Sequence, residues 1–210
     1  MTRVPASIGL AVAALVLLTG CGSVPDFSPG VAARVGDQTV SDAQVRDVAS
    51  VYCPAVAPQL QGQPVPLSQV NARVAGSLTL RSAAEQFADD EGVTADASYQ
   101  KTIDQADKGG QFKGLTDDQK DAVIEVGGAE LYAAAVAKSV GSDGEKLFDQ
   151  WLTDHDVEIN PRYGVALGDG KASLTDTSLS YAVSDTATKA GADSPDATYV
   201  GALPATQRCG

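Results

Sequence analysis

VAARVGDQTVSDAQVRDVASVY, residues 31–52, reads as a short strand, a tight turn, a second short strand and a capped helix. Gly36-Asp37 supplies the turn between Ala33-Arg34-Val35 and Gln38-Thr39-Val40, because glycine reaches positive φ at no steric cost and aspartate bonds its own backbone. Ser41 then opens the helix. Its hydroxyl can accept from the amide of Gln44 while the Gln44 side chain reaches back, which is the S-x-x-Q capping box. Val45, Val48, Ala49 and Tyr52 follow at helical spacing and make one face apolar. No catalytic group sits in this stretch. Its reading is structural: an amphipathic hairpin and helix onto which the rest of the chain packs.

Working outward, the proline-rich stretch Cys53 to Leu67 reads as a long surface loop that no helix runs through. Ser68 is expected to cap the next helix. Val70, Val74 and Leu78 form one stripe on it and Leu80, Ala84 and Phe87 another, so more than one face is buried. Asp89-Asp90-Glu91-Gly92 ends it, with Gly92 a good residue just past the helix. A weakly amphipathic helix follows over about 95–108. Thr116 and Gln119 repeat the capping-box spacing, and Gly127-Gly128 predicts a kink or close packing within the helix that follows. The last helix starts near Ser142-Asp143-Gly144 and carries Leu147, Phe148, Trp151 and Leu152, with the single tryptophan as a core contact. Val157 and Ile159 alternate before Pro161, which fits a short edge strand whose natural partner is Ala33 to Val35. Beyond Gly164 the chain is rich in Gly, Ala, Ser, Thr and Asp. Residues 165–210 are therefore expected to be a poorly ordered low-complexity tail, with one transient strand around Leu179, Tyr181 and Val183.

The N-terminus speaks to location. Arg3 gives a positive start, Ile8 to Leu18 is an apolar run, and Leu18-Thr19-Gly20-Cys21 closes it with small residues before a cysteine. The run is shorter than the roughly 20 apolar residues of a spanning helix. L-T-G-C resembles a bacterial lipobox, which implies removal of residues 1–20, lipidation of Cys21 with diacylglycerol and palmitate-type chains, and a flexible tether over 21–30. The alternative is an ordinary signal peptide with an incidental cysteine. The chain carries a formal net charge of −12, which opposes nucleic acid and anionic lipid surfaces alike, so membrane contact would come from the lipid. Cys53 and Cys209 form an even pair, a disulfide in an exported protein or two free thiols otherwise.

Catalytic and ligand motifs are sparse. His155, the single histidine, lies in Asp154-His-Asp156 at a helix end with no second histidine or spaced cysteine to make a metal set. No G-x-S-x-G elbow occurs. Gly168-Asp-Gly170-Lys171 lacks the remaining residues of a phosphate-binding loop, and Asp104 and Asp107 do not match a calcium loop. The chain reads as a non-enzyme without metal or cofactor.

The order of these features resembles a family. A lipobox at Cys21, then ARVGDQTVSDAQV, several helices, and FDQWLTDHDVEINPRYG together resemble the N-terminal domain of SurA-type and PrsA-type foldases over about residues 31–164. The resemblance implies a mainly α domain in which a small β element pairs the start (about 32–40) with the end (about 157–160). It also implies a lipid-anchored protein on the outer face of the bacterial cytoplasmic membrane, binding unfolded or extended polypeptide segments as a chaperone does. Members with prolyl isomerase activity carry a parvulin domain of some 90 to 100 residues, and only 46 residues follow Gly164 here. A degenerate isomerase and an accessory envelope lipoprotein docking one partner are the other readings.

Overall fold

The computed structural model describes residues 29–175 and 196–210. The expected signal peptide, Cys21, nearly all of the tether and the strand around Leu179, Tyr181 and Val183 lie outside them. The described chain is mainly helical with small antiparallel sheets. β1 (Val31–Val35) and β2 (Gln38–Ser41) form a hairpin, and Ser41 and Gln44 make both bonds of the capping box on α1 (Asp42–Val56). α2 (Leu67–Asp90), α3 (Ser98–Lys108), α4 (Asp117–Gly127), α5 (Ala129–Val140) and α6 (Gly144–Asp154) follow.

The closing motif returns to the opening one. β4 (Glu158–Ile159) pairs with β1, Ala33 opposite Ile159 and Arg34 opposite Glu158, giving a three-stranded sheet ordered β2-β1-β4. Asn160 donates its backbone amide to Ala32 O at 2.8 Å and its side-chain amide to Val31 O at 3.1 Å. Tyr163 donates its hydroxyl to Asp42, which is also paired with Arg162. Asp42 is only 6% exposed, so these two partners are what make its burial tolerable. N-P-R-Y-G is thus a clasp on the first turn of α1.

α2, not the opening hairpin and helix, is the hub. Thirteen of its 24 residues are buried, on every side of the helix, because it packs against α1, α4, α5 and all three small sheets. The two drifting stripes in its sequence are the two halves of the core. Val70, Val74 and Leu78 join Val45, Ala49, Tyr52 and Val126 in one cluster. Leu80, Ala84 and Phe87 join Val136, Phe148, Trp151 and Leu152 in the other. Phe87 and Phe148 sit 5.2 Å apart between ring centres, and the Trp151 indole nitrogen donates to Asp90 at 2.8 Å, so the buried ring keeps its polar edge satisfied.

Three further expectations are corrected. α1 runs through Pro54 to Val56 and continues as a 3-10 turn over Ala57–Leu60, so the long loop is short. Pro54 costs only the bond its amide would have made to Ser50, an exposed position that water can serve, and only one half-turn follows it. α2 starts at Leu67 directly from β3 (Val65–Pro66), and Ser68 does not cap it; Pro66 holds that position with no side-chain bond.

The third correction concerns the poorly ordered tail. Its start, β5 (Val165–Gly168) and β6 (Lys171–Leu174), is an antiparallel hairpin lying on α2. Its end carries a short helix α7 (Ala197–Ala202) and β7 (Arg208–Cys209), which pairs with β3. Cys53 and Cys209 are disulfide-bonded, with Cα atoms 5.6 Å apart. The Gly127-Gly128 break is as expected: the helix divides there into α4 and α5.

Candidate functional site

A groove of about 550 Å³ has α2 as its base. α1 and the 3-10 turn form one wall, the α4–α5 junction the second, and the β5–β6 hairpin the third. Its floor is apolar because each wall contributes a core residue whose edge reaches it: Tyr52, Val70, Val126 and Val165, all between 3% and 8% exposed. The buried hydroxyl of Ser77 on α2 donates to Val126 O at 2.9 Å, so it is satisfied within the floor. Arg73 and Glu130 stand on the rim, one of each sign.

The hairpin wall exists because of Gly76. A Cβ at that position would meet Ala172 Cβ and Val165 Cγ1, each at 2.8 Å. Only a glycine lets β5 and β6 lie this close on the helix. Asp169 and Gly170 both have positive φ, 51° and 65°, in the two-residue turn joining the strands, where the amide of Gly170 donates to Asp149 at 3.3 Å. The sequence G-D-G-K is therefore a hairpin turn and not a phosphate loop. Leu174, 51% exposed, projects at the open end of β6 into the groove mouth.

β6 is an edge. Gly168 and Lys171 close the two-residue turn as a hydrogen-bonded pair, so by alternation Ala172 and Leu174 are in the wide pairs and turn their backbone N–H and C=O away from β5. The bond from Thr175 N to Gly164 O at 2.8 Å continues the same alternation. These two groove-lining residues thus offer both an apolar side chain and an open backbone edge.

Cys53 and Cys209 meet behind this groove. Their bond and the β3–β7 pair fix the wall that carries Leu60 and Val65, and Gly210 lies against Leu60 and Pro64. Cys209 is fully buried. Cys21 is outside the described residues. His155 stacks on Trp151 at 4.1 Å between ring centres, and its Nε2 stands 3.7 Å from Asp90.

A second, polar cleft of about 470 Å³ lies between β2, α2, α3 and α4. At its centre Arg81 donates to Glu85 at 2.6 Å and to the Tyr99 hydroxyl at 3.0 Å, and its guanidinium sits 3.6 Å from the centre of the Tyr132 ring. The two acceptors raise its pKa, against the burial that would lower it. Burial pushes the Glu125 carboxyl above the usual carboxylate range; Glu85 and Asp121 add to that push and Arg81 opposes it.

Sequence reasoning named the cysteines but neither opening. Both are made where residues far apart in the chain converge on α2; the one local signal for a wall, Asp169-Gly170, is weighed in the sequence only as part of a phosphate loop. Among the described residues no three His, Cys, Asp or Glu side chains stand together as a metal set, and no helix is long and apolar enough to cross a membrane. No protein-family model, curated protein or solved structure matches this chain.

Proposed function

We propose that this protein is a lipid-anchored extracytoplasmic holding protein that binds unfolded or extended polypeptide segments in the groove on α2. The single observation that carries the reading is the mouth of that groove: an apolar floor open to solvent beside Leu174, on a strand edge with backbone groups turned outward. An extended client satisfies both features at once. Its backbone pairs with Ala172 and Leu174 as a third strand, and alternate apolar side chains enter the groove. Burial of apolar surface supplies about 25 cal/mol per Å², and a volume of about 550 Å³ lies within the range of pockets that hold ligands, about 300–1,000 Å³. The main-chain bonds are indifferent to client sequence, which suits a holder of many segments. The charge of −12 keeps a loaded complex soluble. Attachment through Cys21 would place the groove at the outer face of the bacterial cytoplasmic membrane, where lipid chains supply the anchoring.

The test is Leu174→Asp. The side chain is half exposed, so the fold survives the change, and the buried floor is untouched. Affinity for an extended apolar peptide should fall roughly tenfold, the loss of about 1.4 kcal/mol from one covered leucine replaced by a charge. Protection of an unfolding client against aggregation should fall with it. Wild-type protein that binds no such peptide, or a variant that binds as well as wild type, removes the groove from this role.

A further inference from the structure

The polar cleft has its own open strand edge. Gly36-Asp37 is a two-residue turn, so Val35 and Gln38 must be a hydrogen-bonded pair and Arg34 and Thr39 a wide one. The backbone N–H and C=O of Thr39 therefore point away from β1, outward from the outer strand of the sheet. Gln38, Thr39 and Val40 also border the cleft, whose far side is α4.

The charges in the cleft do not balance. Arg81 is already committed to Glu85, Tyr99 and the face of Tyr132. Asp121 and Glu125, one helical turn apart on α4, take neither a hydrogen bond nor an ion pair from the described residues. Glu125 is partly buried in addition, and a half-desolvated carboxylate without a donor is stabilised by any cation that reaches it.

We infer that the β2 edge docks an extended polypeptide segment carrying a lysine or arginine, whose backbone pairs with Thr39 while the basic side chain enters the cleft toward Asp121 and Glu125. The pairing fixes which residue must be basic. The partner residue opposite Thr39 shares the face of the Thr39 side chain; the residues on either side of it share the face of Gln38 and Val40. That face looks onto α2, since Val40 is 6% exposed and belongs to the core. A basic residue is thus required one place before or after the residue that pairs. The surface is separate from the apolar groove, and its partner is selected by charge where the groove selects by apolarity.

The experiment uses the full chain and a synthetic strand-forming heptapeptide with one central lysine, beside twins with norleucine at that place and with an N-methylated backbone at the neighbouring residue. Fluorescence anisotropy at low salt should show the lysine peptide bound roughly three- to tenfold tighter than the norleucine twin. The preference should collapse as NaCl rises from about 20 to about 500 mM, and the N-methylated twin should lose most of its binding. Asp121→Asn with Glu125→Gln should erase the lysine preference; both are helix-surface positions, so the fold is kept. Leu174→Asp should leave the lysine peptide's binding as it was, which separates this surface from the groove. A lysine preference that survives the double variant, or that Leu174→Asp abolishes, overturns the assignment.

Discussion

A single added methyl decides whether the hairpin can stay on α2. At Gly76 it would stand 2.8 Å from Ala172 Cβ and from Val165 Cγ1, and a Cβ cannot rotate out of the way. Two effects oppose each other in Gly76→Ala: helix propensity gains roughly 1 kcal/mol, while overpacking a fitted contact costs about 1–3 kcal/mol. The cost wins or draws, and Gly76→Val, with a poorer helix former and more bulk, tips it clearly. Denaturant unfolding should find Gly76→Val less stable by about 2 kcal/mol, with faster proteolytic cleavage in the hairpin; unchanged stability would mean the hairpin floats free of α2. Glu125 gives a pH-dependent counterpart. Its carboxyl has a raised folded-state pKa, so its favourable contribution is full below the ordinary carboxyl range and is lost as pH rises through the raised value. At neutral pH the charged group therefore costs stability. Glu125→Gln should unfold at a higher temperature than wild type near pH 7, by a few tenths of a kcal/mol, and the gap should close as the pH is taken below about 4. A gap that widens in acid would contradict the burial argument.

At the scale of elements, what was legible had local causes. The capping boxes at Ser41 and Thr116 were read from spacing alone, because each is an exchange between residues three apart. The β1–β4 pairing was legible too, since alternation and a proline stop bracket a two-residue strand, though the clasp of Asn160 and Tyr163 on Val31 and Asp42 was not. Composition misled about the residues after Gly164. Val165, Leu167, Ala172 and Leu174 alternate around Asp169-Gly170, a hairpin signal that the glycine- and serine-rich texture of the whole stretch hides. The hairpin needs few large side chains because α2 offers it a glycine to lie against. The same turn yields a test. Gly170 has φ 65°, which a β-branched residue adopts only under strain, so Gly170→Val should cost about 1–2 kcal/mol and loosen the groove wall. Peptide affinity in the groove should drop even though position 170 does not line it. Intact affinity would show that the wall is held from α2 alone.

The whole molecule is closed from its far end. The disulfide joins positions 156 residues apart, and the segment it retains, 196–210, is otherwise held by the two-residue β3–β7 ladder, by packing of its last residues on α2, by the buried Val200 and by contacts of Gly210. Chain-entropy arguments assign a crosslink of that span close to 5 kcal/mol, an upper figure because unfolded chains are compact and native geometry takes its share. The sequence offered the pair but not its consequence, since nothing local to Cys53 or Cys209 says that β7 becomes a wall behind Leu60 and Val65. Replacing both cysteines by serine separates two ways in which that wall could matter. If the crosslink acts on the unfolded ensemble, the urea midpoint falls by the equivalent of about 2–5 kcal/mol, and the slope rises because more surface is exposed on unfolding. If it acts only on the native end, residues 196–210 become protease-sensitive while the midpoint holds. The buried position of Cys209, together with a ladder of only two residue pairs, favours both effects at once: a lower midpoint, early cleavage near the C-terminus, and weaker peptide binding in the groove. Binding that survives with the C-terminal segment cleaved away would place the whole of the groove's grip on α2 and the β5–β6 hairpin.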